Sequence, residues 1–173
     1  MHSFVEWKVT PGFNAWRLFN NKKLMKMKRL MLVAIAIFSM VSVVSAQKSA
    51  IYAPKGTAVE GYDVVDFFAQ GKPVKGSTVY SYQWGGANWL FESKANMELF
   101  TKSPEKYAPQ YGGYCAYGAS QGHKAPVEAD TWSIVDGKLY FNYNKSVKEK
   151  WVKDQPAYII EANKNWPMIK DKE

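Results

Sequence analysis

Ser77-Thr78-Val79-Tyr80-Ser81-Tyr82-Gln83-Trp84-Gly85-Gly86-Ala87-Asn88-Trp89-Leu90-Phe91-Glu92-Ser93-Lys94-Ala95-Asn96-Met97-Glu98-Leu99-Phe100 is the stretch on which the fold turns. Ser77 to Gln83 reads as a strand by its aromatic alternation, with Tyr80 and Tyr82 on one face. Gly85-Gly86 supplies the residues of a tight hairpin turn, and Asn88 to Phe91 is the returning strand. Ser93 then stands as a helix N-cap. Asn96, three positions on, is not the Glu or Gln of a capping box. Met97 and Phe100 share a helix face, with Ala95 and Leu99 beside them, and Pro104 ends the helix. A second short turn, Pro104 to Tyr107, follows.

Working outward toward the C-terminus, Thr131 to Val135 is a strand and Asp136-Gly137 a two-residue hairpin signal. Lys138 to Tyr143 is its partner, with Leu139, Phe141 and Tyr143 alternating against Lys138, Tyr140 and Asn142. Lys145 to Lys153 and Pro156 to Lys164 are two helices. Trp151, Val152, Ile159, Ile160 and Trp166 are expected to close over a sheet. Toward the N-terminus, Gln70-Gly71-Lys72-Pro73 is a turn. Val64, Val65, Phe67 and Phe68 fit a helical turn or a strand equally well. Strands mixed with helices, without a βαβ rhythm, give an α+β class: a small antiparallel sheet with hairpins packed against a few short helices. The expected organisation is a leader over 1–46, a flexible arm over 47–58, a domain over 59–167 and a tail over 168–173.

The net charge of the 173-residue chain is +8, which invites a nucleic-acid reading. The distribution argues against it. Residues 1–46 hold seven bases and one acid, while the remainder holds 16 lysines, 14 acids and no arginine. Arginine is the preferred fork for phosphate and guanine edges, so the expectation is no nucleic-acid partner. Met27-Lys28-Arg29 opens a run that is uncharged from Leu30 to Val44 and ends in Val44-Ser45-Ala46. Basic start, apolar middle and small-residue exit are the parts of a secretory signal, with cleavage after Ala46. The apolar run is shorter than the roughly 20 residues of a membrane span. The expected location is therefore periplasmic or secreted, with membrane contact only through the leader. Translation is expected to start at Met25 or Met27. In an oxidising compartment disulfides are the common staple, yet Cys115 is the one cysteine of the chain, so stability falls to the core.

Several motifs occur in one order: Gly61-Tyr62-Asp63-Val64-Val65-Asp66-Phe67-Phe68, Gly71-Lys72-Pro73-Val74-Lys75-Gly76, Phe91-Glu92-Ser93, Pro104-Glu105-Lys106-Tyr107-Ala108 and Tyr111-Gly112-Gly113-Tyr114-Cys115-Ala116. Val135-Asp136-Gly137-Lys138-Leu139-Tyr140, Asn142-Tyr143-Asn144-Lys145 and Trp166-Pro167 complete the set. In these the run from Gly61 to Pro167 resembles the YHS domain family in its exported single-domain form. The resemblance implies a small sheet-plus-helix module, often associated with metals such as copper. In metal-handling relatives a cysteine follows the aromatic strand and a second starts the helix four residues later. Those places hold Glu92 and Asn96 here. The aspartate-proline-valine-cysteine opening of such relatives reads Asp63-Val64-Val65-Asp66, and in place of the family's histidine the nearest text is Tyr80-Ser81-Tyr82. The usual soft-metal ligand set is therefore not carried over.

Three functional readings remain. The first is a monomeric binding protein for copper or another transition metal, zinc included, centred on Cys115 and His123. These residues lie eight apart in one aromatic- and glycine-rich segment, and thiolate plus imidazole suits copper or zinc. Met97 or Met168 could add a thioether. The second is a protein-interaction or scaffold module, with Tyr111, Tyr114 and Tyr117 lining a groove around Gly112 and Gly113. The third is a thiol enzyme, in which Asp130 or Glu128 orients His123 against Cys115. Against these stands the bland alternative: Cys115 a small buried hydrophobe, the rings simply core, and Asp63 with Asp66 a helix cap or a solvated turn. Glu92 is a candidate ligand for a harder cation. No phosphate loop, Walker sequence or HExxH is present.

Overall fold

The computed structural model describes residues 49–172. The leader, its cleavage after Ala46, the translation start and the first two residues of the arm lie outside the described residues.

The first hairpin pairs β1 (Ser77–Trp84) with β2 (Ala87–Phe91) in antiparallel register, Tyr82 opposite Trp89 and Trp84 opposite Ala87. Gly85 and Gly86 turn it with φ of 60° and 79°. A register shift between Ser77 and Ser81 bends the long strand. A four-residue helical turn, α1 (Asp66–Ala69), precedes the hairpin, which settles the ambiguous valine–phenylalanine cluster in favour of helix. The hairpin leads into α2 (Lys94–Lys102), whose Ser93 hydroxyl accepts the Asn96 N–H at 3.2 Å. The face of α2 that meets the hairpin carries Phe100, which is fully buried. Its ring lies 4.9 Å from Trp89, 5.2 Å from Phe91 and 5.8 Å from Trp84. Aromatic side chains bury large areas and gain from tilted and edge-on contacts, so this ring cluster anchors the first half of the core. The helical turn α3 (Pro104–Tyr107) follows directly.

The second half is built from α4 (Ala116–Ser120), β3 (Ser133–Val135), β4 (Lys138–Tyr140), α5 (Lys145–Val152) and α6 (Gln155–Ile169). β3 and β4 form a second two-stranded sheet, turned by Asp136 and Gly137 at φ of 50° and 71°. The fold is α+β, but with two separate antiparallel hairpins in place of one small sheet. The expected in–out alternation past Lys138 fails. Tyr140 and Asn142 are as buried as Leu139 and Phe141, because helices cover the face expected to be wet: Tyr140 stacks 5.5 Å from Trp151 of α5. Val152 and Ile160, expected to close over the sheet, are instead exposed. The last helix also runs past Lys164, through Pro167. Ala116, Ala119 and Ala162 share the second core with Tyr111 and Trp151; such small side chains let α4 and α6 approach closely. Among the described residues no helix is long and apolar enough to cross a membrane.

Within the expected arm, residues 49–58 are packed rather than loose: Ile51 and Ala58 are buried. The reason is a pair of left-handed turns. Val59, Glu60 and Gly61 have φ of 47°, 55° and 77°, and Tyr111, Gly112 and Gly113 have 54°, 60° and 86°. Tyr52 threads between the two turns. Its N–H donates to the Gly112 carbonyl at 2.8 Å, and its carbonyl accepts from the Val59 N–H at 2.9 Å. A β-branched residue in this region is strained, so Val59 persists only because packing over-determines it. Gly112 has a second constraint, since a Cβ there would run into the Ala50 carbonyl oxygen. Gly112→Ala is expected to lower stability by about 2 kcal/mol or more through the combined strain and clash. A urea denaturation midpoint equal to that of the wild type would refute this.

Candidate functional site

Cys115 is fixed from both sides. Its N–H donates to the Ala125 carbonyl at 3.0 Å, and the next N–H, of Ala116, donates to the Phe141 carbonyl at 2.8 Å. This suspends the residue between the 125 segment and the continuation of β4, at the first turn of α4. The side chain points inward, 1% exposed. Sγ accepts the Gly118 N–H at 3.3 Å, and the thiol lies 3.8 Å from Asn142 Oδ1. Burial pushes the thiol pKa up, and the backbone N–H groups of Gly118, Tyr143 and Tyr117 pull it partly back. The sulfur is therefore held as a neutral thiol with hydrogen-bond donors already aimed at it.

His123 arrives from the turn that ends α4, its N–H on the Gly118 carbonyl at 3.1 Å. Gly118 stands beside both candidates. Its N–H faces the sulfur, and a Cβ on its α-carbon would lie 3.4 Å from His123 Nε2. Cys115 and His123 accordingly line one cavity of about 310 Å³, with Tyr117, Gly118, Ala125, Tyr143 and Val147 as its remaining walls. Apart from the sulfur and the imidazole, those walls are largely apolar.

The other sequence candidates go elsewhere. Met97 packs against the first core and Met168 is exposed near the end of α6, and neither lines this cavity. Tyr111, Tyr114 and Tyr117 do not form one groove. Tyr111 and Tyr114 are buried, and the three rings border three different depressions. They are separated because the left-handed turn at 111–113 and the start of α4 rotate successive side chains apart. Asp130 is bound to Lys145 at 3.1 Å and lines a different depression, and Glu128 is outside the cavity. Neither is placed to orient His123, and a thiol with a raised pKa is a poor nucleophile. Among the described residues no group of three or more His, Cys, Asp or Glu side chains is placed to hold a metal ion.

A second polar centre was not legible as one. Asp63 and Asp66, expected as a cap or a solvated turn, are 0% and 2% exposed. Asp63 Oδ1 accepts the Val65 N–H at 2.9 Å, which is cap-like. Its Oδ2 accepts the Glu92 N–H at 2.8 Å and the Asn96 side-chain amide at 2.8 Å. Asp66 Oδ1 accepts from the same amide at 3.0 Å and from Gln70 Nε2 at 2.8 Å.

This knot ties together the segments before α1, after β2 and at the head of α2, and all of its members except Asp63 lie within the stretch that a family comparison finds. Residues 65–111 match the family described as the YHS domain. This segment is similar to the YHS domain. No curated protein and no solved structure matches the chain. The YHS match takes in α1, the first hairpin, α2 and the Asn96 amide. It ends before Cys115 and His123. At the YHS positions where metal-handling relatives carry cysteines, this chain offers a carboxylate and an amide whose donors are engaged. The residues there do not fit a soft metal.

Proposed function

We propose that this YHS-domain protein is an exported, non-catalytic binding protein that takes one soft ion, Cu(I), between Cys115 Sγ and His123 Nε2. The observation that carries the reading is the shared cavity, with the Gly118 N–H on the sulfur and the Gly118 α-carbon facing the imidazole. The donor set selects the ion. Zinc in structural sites takes four protein ligands, and the cavity holds one thiol and one imidazole. Cu(I) accepts soft, low-coordinate ligation, so copper is favoured over zinc. The bound ion would be supplied with a thiolate by Cys115 and a neutral ring nitrogen by His123. The N–H groups of Gly118, Tyr143 and Tyr117 would steady the charge left on sulfur. The remaining walls are largely apolar and offer no hard ligand to compete. Export enters through the leader.

Titration with Cu(I) under a competing chelator tests this. Wild type is expected to bind one equivalent, with Cys115→Ser and His123→Ala each weakening affinity by about 10-fold or more. Loading displaces the thiol proton, so affinity is expected to rise by about tenfold per pH unit below the thiol pKa. Affinity that is independent of pH and unchanged in Cys115→Ser would remove the proposal.

A further inference from the structure

Away from that cavity, the carboxylate knot raises a question of charge. Asp63 and Asp66 are both buried, and among the described residues no Lys or Arg bridges them. Buried charges are ordinarily paired or bound to a metal. What stands between them is one neutral amide. Asn96 Nδ2 carries two N–H groups, and the geometry commits one to Asp63 Oδ2 at 2.8 Å and the other to Asp66 Oδ1 at 3.0 Å. The amide is then spent, and Asp66 Oδ2 is left buried with no partner. A side-chain nitrogen about 3 Å from an oxygen of each of two carboxylates occupies the place of a bridging cation.

We infer that the Asn96 amide substitutes for a divalent cation between Asp63 and Asp66, so that this centre is held closed without metal and a single change at residue 96 reopens it to an oxygen-preferring ion. The carboxylates converge on one point, which a cation also requires. The amide supplies two weak partial charges where an ion would supply a full one. One oxygen remains unanswered because an amide has only two hydrogens to give, whereas an ion could be reached by further ligands.

Mn2+ is the probe, since it prefers oxygen ligands. Asn96→Asp places a third carboxylate beside the pair. It is expected to be destabilised in chelator and restored by Mn2+, with Mn2+ affinity at least about tenfold above wild type, as ligand charge count sets affinity. Wild type and Asp66→Asn are expected to melt at temperatures that neither Mn2+ nor chelator moves. Two results would overturn the inference. In one, wild type is stabilised by Mn2+ and Asp66→Asn abolishes the effect, which would make the centre a native cation site. In the other, Asn96→Asp shows no response to Mn2+, whether it is folded or not.

Discussion

Asp63→Ala is expected to lose about 3 kcal/mol or more of folding stability, the largest single-residue effect outside the aromatic core. The carboxylate accepts from the N–H groups of Val65 and Glu92 and from the Asn96 amide. Alanine leaves all three donors without their acceptor around a side chain that is itself fully buried. An orphaned buried donor costs roughly 1–3 kcal/mol, and relief from removing a buried charge offsets part of the sum. The three donors come from the residue before α1, the residue after β2 and α2 itself, so the loss is also one of relative placement: hairpin and helix are no longer pinned at the same point. Glu92→Ala should be close to neutral by comparison, because the centre uses the backbone N–H of residue 92 and the side chain is exposed. Urea denaturation of both variants checks the pair. An Asp63→Ala midpoint matching that of Glu92→Ala would show that the knot is ornamental.

Alkali is expected to unfold the domain over a narrow range. Burial raises the pKa of the Cys115 thiol and of the phenols of Tyr52, Tyr111, Tyr114 and Tyr140, and Tyr52 is pushed up to about 12, with the Glu60 charge adding to burial. In the unfolded chain the thiol ionises near about 8.5 and the phenols near about 10. Between those values and the raised ones, the folded state keeps protons that the unfolded state gives up. Their contribution is fully present below the unfolded pKa and is lost as pH climbs toward the folded one. Each such group removes about 1.4 kcal/mol per pH unit within its window. Stability should hold to about pH 8, decline slowly as the thiol window opens, and fall steeply above about pH 10, where the phenols add their slopes. Tyrosinate absorbance should then appear together with loss of structure. Phenols that titrate at their ordinary values in a still-folded protein would show that burial does not govern them.

The parts of this fold that were legible in the sequence are those specified locally. Gly85-Gly86 and Asp136-Gly137 demand left-handed backbone, and both form the turns expected of them. Ser93 caps α2 because its hydroxyl needs only the N–H of Asn96, three residues on. What could not be read was imposed from a distance. Val59, Glu60 and Tyr111 adopt positive φ without being glycine, and no local preference announces that. Tyr140 and Asn142 are buried by helices that the strand pattern does not contain. Asp63 and Asp66 sit three apart, which on local grounds is a wet turn, and only the arrival of Asn96 from α2 converts them into an interior pair. The candidate cavity lies between these extremes. Cys115 and His123 are near in sequence, and the short α4 with its glycine at 118 turns that proximity into a shared wall. The tyrosines around them share sequence proximity equally and are scattered, because neighbouring positions on a tight turn look in different directions.

The threading of Tyr52 between its two left-handed turns also sets an order of events. One of its backbone partners is Val59, a few positions away, and the other is Gly112, far along the chain. During synthesis the seat for this segment does not exist until the stretch around residue 112 has emerged. The beginning of the domain is thus kept in reserve, and non-local closure of this kind is slow relative to hairpins and helices. Seating Tyr52 ties the front of the described domain to a turn that lies beyond the first hairpin and α2, so both of those local elements are free to form before the closure that spans them.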